Sequence, residues 1–337
     1  MTACRTTRTF GLGLIAAAFL LAPAGGPPGA AWAADKVVFG TNWKAQAEHG
    51  GYYYAVAEGI YAQHGLDVEI RQGGPNVNNA QLLAAGKVDF NMGSTGSALN
   101  FVANQIPMVT VAAIFQKDPQ VLLAHPGVGH DTLESLRGKP ILISKGARTT
   151  YRMWLQAKFG FTEDQIRPYT FNAGPFLADK KAIQQGYVTS EPYVIEKLGG
   201  FKPVLHLLAD HGYSNYSTTI ETSWKLVQEK PELVQRFVDA TIKGWYGYLY
   251  RDPGRANALI KKDNPDMTDD ILAHSVKAMK DFGIVDSGDA KTLGIGTMSH
   301  ARWERFYKDA VEAKLYPATL EYRTAYMLQF VNKKVGM

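Results

Sequence analysis

The chain has 337 residues, 46% of them hydrophobic, and a formal charge of +5 from 36 Lys plus Arg against 31 Asp plus Glu. Basicity this modest, spread along the chain without an arginine-rich stripe, excludes the footprint of a nucleic-acid-binding protein. A single cysteine, Cys4, excludes a disulfide framework and a thiolate metal site.

Arg5 and Arg8 precede an apolar run over residues 10–22, and Ala31-Trp32-Ala33 offers small residues at the two positions a signal peptidase reads. This pattern predicts a secretory signal over residues 1–33, too short in its apolar part to span a membrane, with cleavage after Ala33. Its removal takes away Cys4 and two positive charges, so a freely soluble product without a lipidated cysteine is expected. The remaining length suits two lobes better than one core.

The first strand is expected at residues 36–40, followed by Asn42-Trp43 and by His49-Gly50-Gly51. A helix over residues 52–64 places Tyr53, Val56, Ala57 and Ile60 on one buried stripe, leaves Tyr52 outward, and stops at Gly65. Leu66-Asp67-Val68-Glu69-Ile70 alternates as a half-buried strand. A helix over 77–85 and a strand over 88–92 come next, then Gly93-Ser94-Thr95-Gly96-Ser97 opens a third helix. Strands separated by helices of this length predict a parallel sheet with right-handed crossovers. The ligand crevice of such a sheet lies at the carboxyl ends of its strands.

Residues 108–115 form a fourth strand, and 121–126 cross to a second region where the pattern restarts. A short helix is expected over 133–139 and a strand over 140–143. Residues 144–150 then open a helix running to about 159. A strand over 168–171, a helix over 176–185 stopped by Gly186, and a strand over 187–189 come after it. That last strand leads into Ser190-Glu191-Pro192-Tyr193, with return strands at 202–207 and 218–221. From Trp224 onward the chain is helical, near 224–230, 231–250, 253–262, 268–281 and 299–313, with Pro231 and Pro253 in first turns.

Several of these residues carry chemistry. Ser94, Thr95, Gly96 and Ser97 combine hydroxyls with a helix N-terminus, which suits an anion, although Ser and Thr are also ordinary helix caps. Arg148, beside Thr149 in the corresponding turn of the second region, either clamps a carboxylate or sulfonate or is a solvated side chain at a helix start. Trp43, next to Asn42, either stacks on a planar ligand or wedges against its own lobe. His49 either bonds in the cleft or caps its helix. Glu191 either meets a ligand or caps the next helix, and Tyr193 offers a second stacking face. No pair of His at i, i+4 or other metal spacing is present, and neither metal nor cofactor is expected.

The runs TNWKAQAEHGGYYYAVAEGIYAQHGLDVEI and LLAAGKVDFNMGSTGSALNF resemble the NMT1/THI5-like and sulfonate-binding family of periplasmic solute receptors. The resemblance implies an α/β, two-lobed periplasmic binding protein type II fold, each lobe a mostly parallel sheet flanked by helices, with a ligand cleft between them. Lobe one is expected over residues 34–121, lobe two over 122–216, and a return to lobe one over 217–337. It also implies a monomeric periplasmic receptor that hands a small solute to an ABC permease and its ATPase. In the pyrimidine-binding relatives an aromatic at the place of Trp43 stacks on the ring, and a carboxylate near the place of Glu191 pairs with it. The solute is therefore expected to be a planar nitrogen heterocycle akin to thiamine-pyrimidine precursors. An alkane or aryl sulfonate, or another organic anion, is the alternative, and a periplasmic sensor a further one. The pyrimidine synthases of the superfamily carry a lysine and a histidine where this chain has Gly93 and Ser97. Their cysteine cluster has no counterpart here, so catalysis is not expected.

Overall fold

The computed structural model describes residues 1–7, 9 and 34–337. The chain divides into two units, Met1–Ala33 and Ala34–Met337, and every strand and helix named below belongs to the second. The apolar run and the small residues that predict the secretory signal lie outside the described residues.

The second unit begins with β1 (Asp35–Gly40), β2 (Leu66–Arg71), β3 (Phe90–Ser94) and β4 (Met108–Phe115). The chain then crosses to β5 (Gln120–Ala124), β6 (Ile141–Ile143), β7 (Ile166–Pro168), β8 (Ile183–Tyr187) and β9 (Val204–Leu207), and returns with β10 (Ser217–Ser223). Two five-stranded sheets result, in the orders β2-β1-β3-β10-β4 and β7-β6-β8-β5-β9. In each, four strands point one way and one runs against them. β10 is antiparallel to β3 and β4, and β5 is antiparallel to β8 and β9. The sheets are thus parallel apart from the two strands next to the crossings.

The first sheet follows the apolar pattern closely. β4 is buried along its whole length, and Phe39, Phe90 and Phe237 meet in the core between β1, β3 and the helix Pro231–Tyr250. That long helix lies directly on the helix Gly50–Ala57: a Cβ on Gly244 would come within 2.3 Å of the Gly51 carbonyl, so only glycine permits the approach. The single helix expected over 52–64 is in fact two, Gly50–Ala57 and Ile60–Gln63, broken at Gly59 with φ of +66°.

The second sheet departs further from expectation. The helix expected over 176–185 ends early, as Gly174–Ala178, and the residues beyond it form β8 instead. Gln184 and Gln185 are buried there, and Gln185 Oε1 accepts from the Ser144 N–H and the Tyr151 hydroxyl, so tertiary bonds override a polar, helix-like stretch. The strand expected over 168–171 lies earlier, as β7. The short helix at 133–139 is a single 3-10 turn, Glu134–Leu136. The expected C-terminal helices are present, including Asp269–Asp281 and His300–Glu312. Among the described residues no helix is long and apolar enough to cross a membrane.

Candidate functional site

The carboxyl ends of strands from both sheets meet around a cavity of about 480 Å³. Asn42 and Trp43 follow β1, Ser94 and Ser97 end β3, Arg148 follows β6, and Tyr187 and Glu191 lie at the end of β8; all line it.

Asn42 is held by a chain of hydrogen bonds that fixes its orientation. The Gln46 N–H donates to His49 Nδ1 at 3.2 Å, so the ring proton sits on Nε2, which donates to Asn42 Oδ1 at 3.0 Å. The Asn42 amide then donates to the Tyr187 hydroxyl at 3.2 Å, joining the two sheets across the cavity. Burial pushes the His49 pKa down to about 3, so the ring stays neutral.

Trp43 stands parallel to Tyr169, with ring centroids 6.1 Å apart and planes 7° from each other, while Phe171 meets it edge-on. Tyr169 in turn donates its hydroxyl to Glu191 Oε1 at 3.0 Å, and the Tyr187 N–H donates to Oε2 at 2.8 Å. Glu191 is the first residue of the helix Glu191–Gly199. Gly186 gives its side chain room, since a Cβ there would lie 2.7 Å from the Glu191 Cβ. Burial, reinforced by the nearby Glu48 carboxylate, raises the Glu191 pKa to about 7 despite the hydrogen bonds that oppose it. On another wall of the cavity burial raises Asp118 to about 6, against bonds from Asn215 and the Gln120 N–H.

Residues 94–97 form a reciprocal cap on the helix Thr95–Ala103: Ser94 Oγ accepts from the Ser97 N–H and Ser97 Oγ from the Ser94 N–H. Ser97 Oγ also reaches Glu221 on β10. The turn after β6 is different. It is a 3-10 turn, Gly146–Thr149, ahead of the helix Tyr151–Phe159. Arg148 is half exposed there, 3.9 Å from Glu163, whose other oxygen is paired with Arg152 at 2.8 Å. Thr149 lies in this same turn.

Other predicted contacts are taken away from the cavity. Tyr52, expected to face outward, is fully buried between Phe39 and Trp245, because the long helix covers that face. Thr95 is spent inside the fold, its Oγ1 accepting from the Tyr216 N–H. Gly96 lies against Asn215 and the Tyr316 hydroxyl. His49 acts on the cavity only through Asn42. Tyr193 points instead to the helix Asp269–Asp281, stacking on His274 with centroids 4.4 Å apart and donating to Asp270 at 2.9 Å. Conversely, the sequence does not single out Tyr187, Tyr169, Asp118 and Glu221 as site residues. The misplaced strand at β8 hides Tyr187 and the shifted β7 hides Tyr169, while nothing local marks the other two. Among the described residues no cluster of His, Cys, Asp and Glu is arranged to hold a metal.

The chain is 27% identical over 236 residues to the riboflavin-binding protein RibY of Chloroflexus aurantiacus, covering 68% of this chain and 66% of that protein, just under two thirds of its length. It is 28% identical over 108 residues to the 4-amino-5-hydroxymethyl-2-methylpyrimidine phosphate synthase THI5 of Saccharomyces cerevisiae, 32% of each chain. In fold it is similar to the alkanesulfonate-binding protein SsuA of Xanthomonas axonopodis pv. citri bound to MOPS. The TM-score is 0.63 at 15% identity, with 87% of this chain and 98% of that one covered. The architecture is that of the periplasmic binding proteins. A family model described as NMT1/THI5 like matches residues 46–256, more than half of the sequence, and the chain belongs to that family.

Proposed function

We propose that this protein is the periplasmic solute receptor of an ABC importer, and that the two sheets are the cores of two lobes that close on a planar nitrogen heterocycle. The observation that carries this reading is the pairing of Trp43 with Glu191 on one cavity: a flat indole wall backed by Tyr169, next to a buried carboxyl. A carboxyl poised near neutrality can accept from an exocyclic amine or donate to a ring nitrogen, which suits an aminopyrimidine-like edge. The cavity volume falls in the range that encloses a substituted or fused ring. The relatives in sequence are named for heterocycles of this kind, riboflavin as a bound ligand and a hydroxymethylpyrimidine phosphate as a synthase's product. The protein returns its solute unchanged in this reading, and passes it to a permease and ATPase; a neighbouring kinase gene in place of theirs would favour a sensor.

A second reading rests on Lys145 and Arg148, which line the same cavity and suit an aromatic acid or sulfonate. A thermal-shift and tryptophan-quenching series of the exported form against aminopyrimidines, riboflavin, aromatic acids and aryl sulfonates separates the two. Heterocycles at ~100 times their Kd add about 2.7 kcal/mol of stability. Trp43→Ala weakens them about tenfold, and Glu191→Gln weakens aminopyrimidines selectively. A series in which only sulfonates or acids raise the melting temperature, with Glu191→Gln silent, sinks the heterocycle reading.

A further inference from the structure

The helix Thr95–Ala103 opens beside the cavity wall with the hydroxyls of Ser94 and Ser97, while its first N–H groups are spent on Tyr216 O, Asn215 Oδ1 and Ser94 Oγ. A carboxylate of the chain itself already stands there. Glu221 on β10 is fully buried; its Oε1 accepts from Ser97 Oγ at 2.5 Å and its Oε2 from Asn91 Nδ2 at 3.1 Å. Strand register delivers it, since β10 runs antiparallel to β3 with Glu221 opposite Asn91. Gly93 leaves it space: a Cβ at that position would lie 2.0 Å from the Glu221 Cδ. Asn91, Gly93, Ser94 and Ser97 all line the cavity, and Asn91 Oδ1 is buried without a hydrogen-bond partner, an acceptor rather than a donor.

We infer that Glu221 is a built-in plug that sets the specificity of the cavity: by engaging Ser97 Oγ and Asn91 Nδ2 it turns sulfonate, sulfate and carboxylate groups away from that wall. The inference rests on the reading of this cavity as the solute site. Its physical basis is that the polar groups on this wall that could hold a solute anion are already engaged, and that the carboxyl, whose pKa burial raises to about 7, adds repulsion as it ionises above that value.

The test titrates sulfate, methanesulfonate and formate into wild type, Glu221→Ala and Glu221→Gln, against sodium chloride at equal ionic strength, by thermal shift and calorimetry. Wild type shows no saturable response at this turn. Glu221→Ala gains anion affinity by at least about tenfold, and Ser97→Ala added to it removes the gain. Glu221→Gln, which keeps the volume filled, gains nothing. Should Glu221→Ala fold poorly, formate during refolding restores it by replacing the lost carboxylate. A folded Glu221→Ala without saturable anion binding, or a misfolded one that formate does not recover, overturns the inference. So does a methanesulfonate response in wild type that Ser97→Ala abolishes. Because no heterocycle is present in these titrations, failure of heterocycles to bind wild type would sink the proposed function without altering this result.

Discussion

Two turns on the same cavity share one plan, strand, short turn, helix, and are finished in opposite ways. The turn after β3 is tight, reciprocally capped by Ser94 and Ser97, and filled by Glu221. The turn after β6 is a 3-10 turn without a side-chain cap among the described residues, open to solvent, with Lys145 and Arg148 beside the cavity. The same backbone device can therefore be closed by an internal carboxylate or left cationic and available. The difference between the lobes lies in what the neighbouring strand delivers to the turn, more than in the turn itself.

The largest effect expected from this contrast is on stability. Gly93→Val should cost about 3 kcal/mol or more, because the new side chain collides with a buried carboxyl. Gly146→Ala, where a Cβ meets nothing within 4 Å, should stay within about 0.5 kcal/mol. Chemical denaturation of both variants measures the gap, and equal costs would break the comparison.

Next in size is a pH effect at the second sheet. The folded pKa of Glu191, about 7, lies above its ordinary value of 4.5, so the native state holds a proton that the unfolded chain releases between those values. Stability from this group is therefore full below pH 4.5 and falls as pH rises toward 7. Glu191→Gln should gain on wild type by about 2–3 kcal/mol across that window, with the contribution of His49 cancelling in the difference. Unfolding curves from pH 4.5 to 8 decide it, and a flat difference would show that the acid is already ionised in the fold.

The smallest effect is at Arg148. Half exposed and 3.9 Å from a Glu163 already paired with Arg152, it should contribute less than about 0.5 kcal/mol to stability. Arg148→Gln should leave heterocycle binding unchanged and weaken only acidic solutes, which a calorimetric titration with a matched pair of solutes would show.

How much of this is legible in the sequence differs between the sheets for physical reasons. β1 to β4 announce themselves because apolar residues set their period and Gly65 and Gly86 stop the helices between them. β8 does not, because its buried residues include two glutamines, and Gln185 is held by bonds from Ser144 and Tyr151 that form only once β6 and the helix Tyr151–Phe159 are in place. Trp43, Asn42, Ser94, Ser97, Arg148 and Glu191 can be placed at strand ends from order alone, and the structure brings them to one cavity. Tyr52 and Tyr193 cannot be placed, since what covers each is a helix far along the chain. Glu221 lies inside a strand that the sequence correctly predicts, yet its meeting with Asn91 and Ser97 depends on which strand β10 pairs with, and no local pattern encodes that.

The insertion of β10 between β3 and β4 also sets an order of assembly. The second sheet is made from one continuous stretch, so its strands can find each other as soon as Leu207 has emerged. The first sheet has a gap between β3 and β4 until Ser223 arrives, with β4 lacking its only neighbour in the sheet over all that time. In a chain delivered from its N-terminus the later-begun sheet is thus the first whose strands are all available. The first three strands wait, unpaired at the β3 edge, until about two thirds of the polypeptide has been made, a long-range closure of the kind that slows folding and lengthens the time a chaperone can hold it open.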